Sequence, residues 1–243
     1  MGRVGFESGS DIYERARPGY PGLAVSSLIG QAGIARGTRV LDLAAGTGKL
    51  TRQLVPFGPW CVGVEPSPSM RQVFAQMVPD VPVVGGTAEA IPLTSDSIDA
   101  VVVAQAFHWF DAPTALADIA RVLRPGGTLC LIWNQRDESD PLIAELVKIS
   151  RWDRHRPYPM GRDFGTIVDA SSRFGPVTRT RFRFVQQLDR AVFVDQVASR
   201  SYVAVLPDAE RRALLGRITD FASTLDDPIP LPYVTDLFCA PVG

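Results

Sequence analysis

The stretch V-L-D-L-A-A-G-T-G-K-L-T at residues 40–51 decides the fold, because it is typical of a strand that runs through a glycine turn into a helix. Short apolar runs alternate with helical stretches from this point to residue 133. The predicted strands are 39–43, 61–64, 81–84, 98–104 and 128–133. They are rich in Val, Ile and Leu without clear polar alternation, as in parallel strands buried on both faces. Five β–α units in succession predict a doubly wound α/β sheet.

The segments between these strands carry apolar residues three and four apart, which predicts crossover helices at 48–55, 67–77 and 112–123. Ser67 followed by Pro68 is a helix start, and R-P-G-G at 124–127 ends a helix and leads into a strand.

The remaining chain departs from this rhythm. Residues 178–188 alternate Arg and Phe, which predicts an antiparallel strand with one wet face, and 233–241 is predicted to pair with it. Helical patterns cover 195–202 and 208–224. We therefore expect one domain over 1–243 with five parts. These are an N-terminal cap (1–36), a ligand-binding core (37–136), two lid segments on the substrate side (137–175 and 189–227) and the closing strands (178–188 and 233–241).

The composition of the chain limits the classes of partner that it can bind. The chain has 243 residues, 46% of them hydrophobic, and a formal net charge of −1, so no net field favours DNA, RNA or an anionic membrane. We expect neither nucleic acid nor a membrane as a partner. No apolar run approaches the ~20 residues that span a bilayer, and no secretory signal is present, which predicts a cytoplasmic protein. The excess of 23 Arg over two Lys indicates a GC-rich bacterial gene.

Metal chemistry has few candidate ligands. Cys61, Cys130 and Cys239 lie in apolar stretches without a C-x-x-C spacing, so we expect them to be small buried hydrophobic residues in a reducing compartment. His108 and His155 form no H-E-x-x-H pattern. We expect no metal.

The glycine turn predicts a small, partly anionic ligand. Gly46 and Gly48 permit a tight turn and a close approach of backbone to ligand, and the following helix offers free N–H groups. A Walker A loop would need Gly at 43 and Ser or Thr at 50, where the chain has Leu43 and Leu50. A nucleotide triphosphate is therefore excluded, while a turn needed only for packing stays open.

Two carboxylates narrow the ligand further. Glu65 ends the second strand, where it can accept hydrogen bonds from both ribose hydroxyls or favour the next helix dipole. Together with the turn it predicts an adenosine cofactor, either a dinucleotide or S-adenosylmethionine (SAM). Asp42 would repel a pyrophosphate and could attract a cationic amino acid group. Ala44 also replaces the first glycine of G-x-G-x-x-G, so SAM fits better than a dinucleotide.

Several motifs, taken in order, resemble those of class I SAM-dependent methyltransferases of the small-molecule, type 11 group. They are Y-E-R-A-R-P-G-Y-P at 13–21, D-L-A-A-G-T-G at 42–48, G-V-E-P-S-P-S-M at 63–70, G-T-A-E-A-I-P-L at 86–93, A-Q-A-F-H-W-F-D at 104–111, R-V-L-R-P-G-G-T-L at 121–129 and W-N-Q-R-D at 133–137. The opening and the Q-A-x-H-W segment resemble the trans-aconitate methyltransferase subgroup. The resemblance implies a Rossmann-like, mostly parallel seven-stranded sheet with an antiparallel C-terminal pair and a helical lid.

The same resemblance implies the cofactor contacts. Gly46 and Gly48 would lie along the methionine part of SAM, and Glu65 would hold the ribose. The other implied cofactor residues are Asp42, Ala44, Met70, Thr87, Ala88, Glu89 and Gln105. Two positions depart from the family pattern, Ala44 for the first glycine and Thr87 for an Asp. We expect both to be mild, because Ala fits an ordinary φ and a hydroxyl still accepts a hydrogen bond.

The acceptor side is less sharply defined. His108 is the candidate for acid–base work, for contact with the acceptor, or for a place in the core. The other candidate substrate residues are Tyr13, Arg17, Tyr20, Trp109, Trp133, Asn134 and Arg136. The expected function is methyl transfer from SAM to an oxygen of a small molecule by direct displacement. The alternatives are a nicotinamide-dinucleotide oxidoreductase and a non-catalytic SAM-binding protein.

Overall fold

The computed structural model describes residues 17–151 and 163–243, except for the side chains of Ser201 and Ala204. The described chain forms two compact units. The large unit comprises Gly19–Asn134, 163–182 and Thr235–Gly243, and the small unit comprises 17–18, 135–151 and Arg183–Val234.

Helices and strands alternate through the first half of the described chain. In chain order the elements are α1 (Gly22–Gln31), β1 (Arg39–Leu43), α2 (Lys49–Leu54), β2 (Trp60–Val64), α3 (Pro68–Met77), β3 (Val83–Val84), β4 (Ile98–Ala104), α4 (Ala112–Val122), β5 (Leu123–Arg136), α5 (Pro141–Ser150), α6 (Phe164–Asp169), β6 (Thr178–Leu188), α7 (Arg190–Ala198), α8 (Ser201–Ala204), α9 (Asp208–Ser223) and β7 (Ile229–Pro241).

Local sequence chemistry explains where the helices begin. The Ser67 hydroxyl accepts a hydrogen bond from the Met70 N–H at 3.4 Å, and Pro68 occupies the first turn of α3. Asp140 caps α5 in the same way, through the Leu142 N–H at 2.9 Å. These caps satisfy backbone donors that a helix start leaves without a partner.

The strands of the described chain form a seven-stranded sheet in the order β3-β2-β1-β4-β5-β7-β6. The pairs β1–β2, β1–β4, β2–β3 and β4–β5 are parallel, and the C-terminal strands are antiparallel. Strand order therefore reverses between β1 and β4, and ligands of open α/β sheets generally bind outside the carboxyl ends of the strands at such a point. The predicted fold class, a doubly wound Rossmann-like sheet, is confirmed.

The fifth strand is longer than its apolar run. The prediction began at residue 128, but β5 starts at Leu123 and includes the R-P-G-G segment. Gly126 has a φ of 78°, and the pairing with β4 shifts register between Ile98 and Ala100. A bulge thus accommodates a proline and a left-handed glycine inside a strand.

Each unit has its own apolar core. In the large unit, strand residues such as Val40, Val102 and Ile132 pack with Phe74 of α3. In the small unit, α9 packs on α5 and α7 around Phe193 and other buried apolar side chains.

The cysteines are buried as predicted, but two of them are not free thiols. Cys130 of β5 and Cys239 of β7 form a disulfide, while Cys61 is a free buried thiol whose pKa burial raises to about 12. The expectation of three unpaired residues is wrong for this pair, because the sheet brings together positions that are 109 residues apart in sequence.

Within the described residues, no helix has the length and apolar character needed to cross a bilayer.

Candidate cofactor and acceptor site

The turn after β1 is built from left-handed backbone. Ala44, Gly46 and Gly48 have φ values of 56°, 57° and 80°. The expectation that Ala44 adopts an ordinary φ is therefore wrong. An L side chain in this region costs about 1 kcal/mol relative to glycine, so the turn carries strain at the position where the family pattern has its first glycine.

The two glycines of the turn differ in their surroundings. A Cβ added at Gly46 would meet nothing within 4 Å. A Cβ added at Gly48 would lie 2.7 Å from Val78 and 2.9 Å from Phe74, both core residues. Gly46 therefore leaves open space beside the backbone, whereas Gly48 is needed for packing against α3.

Glu65 ties the turn to the end of β2. It is 7% exposed, and its carboxylate accepts hydrogen bonds from the Gly46 N–H at 3.0 Å and the Ser67 N–H at 2.8 Å. Each oxygen accepts one of these bonds. The side chain is therefore held in place at the carboxyl end of β2, where the sequence predicts a contact with the ribose.

Asp42 lies behind the turn and is 1% exposed. One carboxylate oxygen accepts from the Thr51 hydroxyl at 2.5 Å. Burial, with a smaller contribution from the nearby charge of Glu65, raises the pKa of Asp42 to about 7 against the opposing Thr51 hydrogen bonds. Its Oδ1 has no hydrogen-bond partner among the described residues.

These features fit SAM. An incompletely satisfied buried carboxylate attracts a cation, and SAM carries an ammonium and a sulfonium group. The open backbone at Gly46 and the fixed carboxylate of Glu65 provide room and acceptors for the rest of the molecule.

The predicted adenine side follows β2 and β3. Met70 and Ala88 are buried, and Thr87 forms an isolated backbone bridge with Ala90. The Glu89 carboxylate accepts from the Asp111 N–H at 3.0 Å, so this side chain fixes the start of α4. Thr87, Ala88 and Glu89 thus form one short turn after β3, while Met70 lies in α3.

At the carboxyl end of β4, Gln105 has a φ of 59°, and its side-chain amide donates to the Asn134 carbonyl at 2.9 Å. His108 follows in a short 3-10 turn. Its ring lies 4.4 Å from that of Trp109 and 5.0 Å from that of Trp133, measured between centroids. The imidazole is therefore half-buried and packs against two indole rings.

Trp133 is buried rather than placed on an open rim. It is 2% exposed, and its ring centroid lies 4.6 Å from that of Phe164. Phe107 also contacts Phe164 edge to face at 5.8 Å. Sequence reasoning missed Phe164, because it lies in a segment whose pattern gave no element and only the tertiary fold brings it to this wall.

Other predicted substrate residues make structural contacts in the large unit. The Tyr20 backbone exchanges two hydrogen bonds with the Gln53 side chain, at 2.9 and 2.7 Å. Asn134 donates to the Gly19 carbonyl at 2.9 Å and accepts from the Thr235 hydroxyl at 2.7 Å. Tyr13 lies outside the described residues.

Arg17 and Arg136 belong to the small unit. The Arg136 guanidinium donates to the side-chain oxygen of Gln196 at 2.8 Å, and Arg17 reaches the Ser199 carbonyl at 3.5 Å. Arg200, which sequence reasoning did not single out, carries a pKa well below that of an ordinary arginine because of burial and the charges of Arg136 and Arg17. A lone arginine after a helix gives no local signal of such clustering.

No group of three or more potential metal ligands occurs in the described part of the chain.

Comparison with known proteins shows the family to which the chain belongs. The profile of the methyltransferase domain family matches residues 41–131. An uncharacterized methyltransferase of Mycobacterium tuberculosis is 40% identical over 240 residues, which cover 96% of this chain and 93% of the relative. An uncharacterized methyltransferase-like protein of Schizosaccharomyces pombe is 32% identical, with coverage of 93% and 91%.

A solved structure shows the same fold. The Haemonchus contortus phosphoethanolamine N-methyltransferase 2, in complex with phosphomonomethylethanolamine and S-adenosylhomocysteine, aligns with a TM-score of 0.60. The two are 18% identical, and the alignment covers 99% of this chain and 60% of that one.

The doubly wound sheet and its glycine turn define a Rossmann-like fold. The chain belongs to the family of class I SAM-dependent methyltransferases, and SAM is its cofactor. The oxidoreductase and non-catalytic alternatives are thereby excluded.

Proposed function

We propose that this enzyme transfers the methyl group of SAM to an oxygen of a small-molecule acceptor, preferably a carboxylate, by direct displacement. The observation that carries the proposal is the aromatic, uncharged character of the described segments 105–110 and 133–135 beside the carboxyl ends of β4 and β5, with Asp111 and Asp137 just outside them. An amine acceptor is a cation at neutral pH and needs a carboxylate or a base before it can attack. An alcohol is neutral and a carboxylate is an anion at neutral pH, so neither carries a positive charge that must first be removed.

The aromatic wall supports a carboxylate in particular. His108, Trp109, Trp133 and Phe164 enclose this end of the sheet with rings. SAM supplies a methyl group on a positively charged sulfur. Its reaction with an anionic oxygen neutralises both charges, so surroundings of low polarity favour the transition state over the separated ions.

The residues of the chain then act by positioning. Glu65 and the turn would hold the cofactor, while Gln105, fixed through the Asn134 carbonyl, would define the floor of the reaction site. Among the predicted substrate residues, we assign the acceptor contact to His108 and Trp109. The cytoplasmic location and the small size of the acceptor stay predictions.

We assign His108 to acceptor contact rather than to base catalysis. A carboxylate is already ionised when it binds, so it needs no base. Packing against two indole rings favours a role for His108 in shaping the acceptor pocket over a role in proton transfer. His108→Asn should mainly raise the KM for the acceptor, with a pH profile that does not depend on residue 108. A ~100-fold loss of kcat at constant KM, with loss of an ionisation near pH 6.5, would instead show a base.

The acceptor atom can be read from the chemistry of the product. The enzyme is incubated with SAM labelled in the methyl group and with panels of carboxylic acids, alcohols and amines. Mild alkali hydrolyses methyl esters to labelled methanol, while methyl ethers and methylamines survive it. We expect volatile label from a carboxylic acid. Stable label on amines alone would refute oxygen transfer while leaving the methyltransferase assignment intact.

A further inference from the structure

Thr51 of α2 is a buried residue whose hydroxyl contacts Asp42 at the end of β1. Its side chain is 0% exposed, and the hydroxyl donates to Oδ2 of Asp42 at 2.5 Å. The Thr51 backbone N–H donates to the same carboxylate. We propose that Thr51 is a positioning residue for SAM, and that its hydroxyl holds Asp42 as the anion that attracts the cationic cofactor.

The other surroundings of Asp42 favour the neutral acid. Its partners in the sheet register are Gly63 of β2 and Val102 of β4, which carry no charge, and its Oδ1 has no hydrogen-bond partner among the described residues. Burial and the charge of Glu65 raise the pKa of Asp42, whereas the hydrogen bonds from Thr51 lower it. Within the described chain, Thr51 therefore supplies the hydrogen bonds that stabilise the anion.

Other ionisable groups on the neighbouring elements do not explain a titration near pH 7. They are Cys61 of β2, Asp99 of β4, and Lys49 and Arg52 of α2. Cys61 keeps its proton, because burial and the charge of Asp42 raise the pKa of its thiol to about 12. Asp99 lies at the amino end of β4 and pairs with Arg39 at 3.3 Å. Lysine and arginine side chains ordinarily titrate well above pH 7.

The ionisation of Asp42 matters for binding because SAM carries an ammonium and a sulfonium group. An ionised carboxylate attracts these charges, while a neutral acid does not. With a pKa of about 7, Asp42 is half ionised at neutral pH, so the strength of one hydrogen bond changes the competent fraction. The same bonds also join α2 to β1. A purely structural role for Thr51 is therefore the alternative that an experiment has to distinguish.

Calorimetric titration with SAM between pH 5.5 and pH 8.5 makes this distinction. Thr51→Val keeps nearly the same shape without the hydroxyl, and Thr51→Ser keeps the hydroxyl. We expect the affinity of the wild type and of Thr51→Ser to rise as the pH passes through about 7. In Thr51→Val this rise should move up by about one pH unit, and SAM should bind about fivefold more weakly at pH 7. Titration of the SAM ammonium affects all proteins alike.

Two further variants serve as controls. Thr235 is also 0% exposed, but its hydroxyl donates to the neutral side chain of Asn134 at 2.7 Å, so Thr235→Val should leave the midpoint of the pH profile unchanged. In an Asp42→Asn background, Thr51→Val should no longer alter the pH dependence. If Thr51→Val does not fold, Thr51→Cys, which has only a weak S–H donor, serves in its place.

The midpoint of the pH profile decides the result. No acceptor is present, so the outcome does not depend on which atom receives the methyl group. Weaker binding of Thr51→Val by the same factor at every pH would show a structural role alone and would overturn the proposal. Unchanged binding by Thr51→Val, or a wild-type affinity that does not vary with pH, would overturn it as well.

Discussion

Two aspartates of the large unit, Asp42 of β1 and Asp236 of β7, are both 1% exposed, but they differ in their partners. Asp236 forms salt bridges with Arg179 at 3.2 Å and with Arg181 at 2.8 Å. Asp42 accepts a hydrogen bond from the Thr51 hydroxyl at 2.5 Å, and its Oδ1 has no hydrogen-bond partner among the described residues. Burial raises the pKa of Asp42 to about 7.

A buried carboxylate that is paired with two arginines has its charge compensated within the fold. A buried carboxylate without a cationic partner fits a cationic cofactor instead. The cofactor-free protein is then less stable than it could be, and the bound cofactor offsets this cost. Replacing Asp42 by a neutral residue should therefore stabilise the cofactor-free protein and weaken SAM binding.

The largest effect is expected from a change that is structural rather than electrostatic. Gly48→Val adds a branched side chain at a φ of 80°, with its Cβ only 2.7 Å from Val78. Left-handed strain and overpacking together should lower the free energy of unfolding by roughly 4 kcal/mol. Unfolding in denaturant measures this loss of stability. Gly46→Ala, at the open position, should lose only about 1 kcal/mol; equal losses would show that the two glycines do not differ in packing.

Asp42→Asn should change the pH dependence of stability. The folded pKa of about 7 exceeds the unfolded value of 3.8, so the folded carboxyl binds more proton between these values and wild-type stability falls as pH rises towards 7. The variant has no titrating carboxyl at this position and therefore lacks this loss of stability. Between pH 5 and pH 8 the free energy of unfolding of the variant should rise by about 3 kcal/mol relative to that of the wild type, as measured by urea unfolding. Parallel pH profiles of the two proteins would contradict the buried, titrating carboxyl.

Glu65→Gln should weaken SAM binding by about 2 kcal/mol, since the amide keeps its shape but loses a charge-assisted acceptor for the ribose. Asp99→Asn is the matched control. Asp99 is also buried and accepts from a backbone N–H, that of Arg39 at 2.6 Å, but at the amino end of β1. Calorimetry should show an unchanged affinity for this control. Unchanged affinity in Glu65→Gln would instead leave the carboxylate with a purely local role.

The smallest effect concerns the strained turn. Ala44→Gly relieves a left-handed φ of 56° and should raise the free energy of unfolding by up to about 1 kcal/mol, less the entropy that glycine adds to the unfolded chain. Thermal unfolding at one pH is sufficient, with Ala45→Gly as the neighbouring control. A destabilised Ala44→Gly would show that the local surroundings compensate for the strain.

The regular part of the fold could be read from sequence because each β–α unit carries its own local pattern. The bounds of β1, β4 and β6 agree with the prediction. The bounds of other strands differ from the prediction, because pairing with a neighbouring strand determines where they begin and end. The third strand is only Val83–Val84, since β2 pairs with these two residues, and β5 extends to Arg136.

The candidate site was predictable only in part, for the same reason. Asp42 lies in the last part of β1, the turn and Glu65 follow strand ends, and the topology brings these ends together. The left-handed φ of Ala44 could not be read, because alanine favours other conformations. Arg200 and Phe164 reach their places through long-range packing, which leaves no local pattern.

The central claim is that the cationic cofactor binds beside Asp42, and the protons exchanged on binding test it most directly. Titrations with SAM at pH 7 in MOPS and in imidazole buffer give this number from the difference in apparent enthalpy. With a pKa of about 7, Asp42 is half protonated at this pH, so a nearby cation should expel up to about 0.5 proton. Wild type should release that much more than Asp42→Asn. Equal proton release by both proteins would contradict the claim.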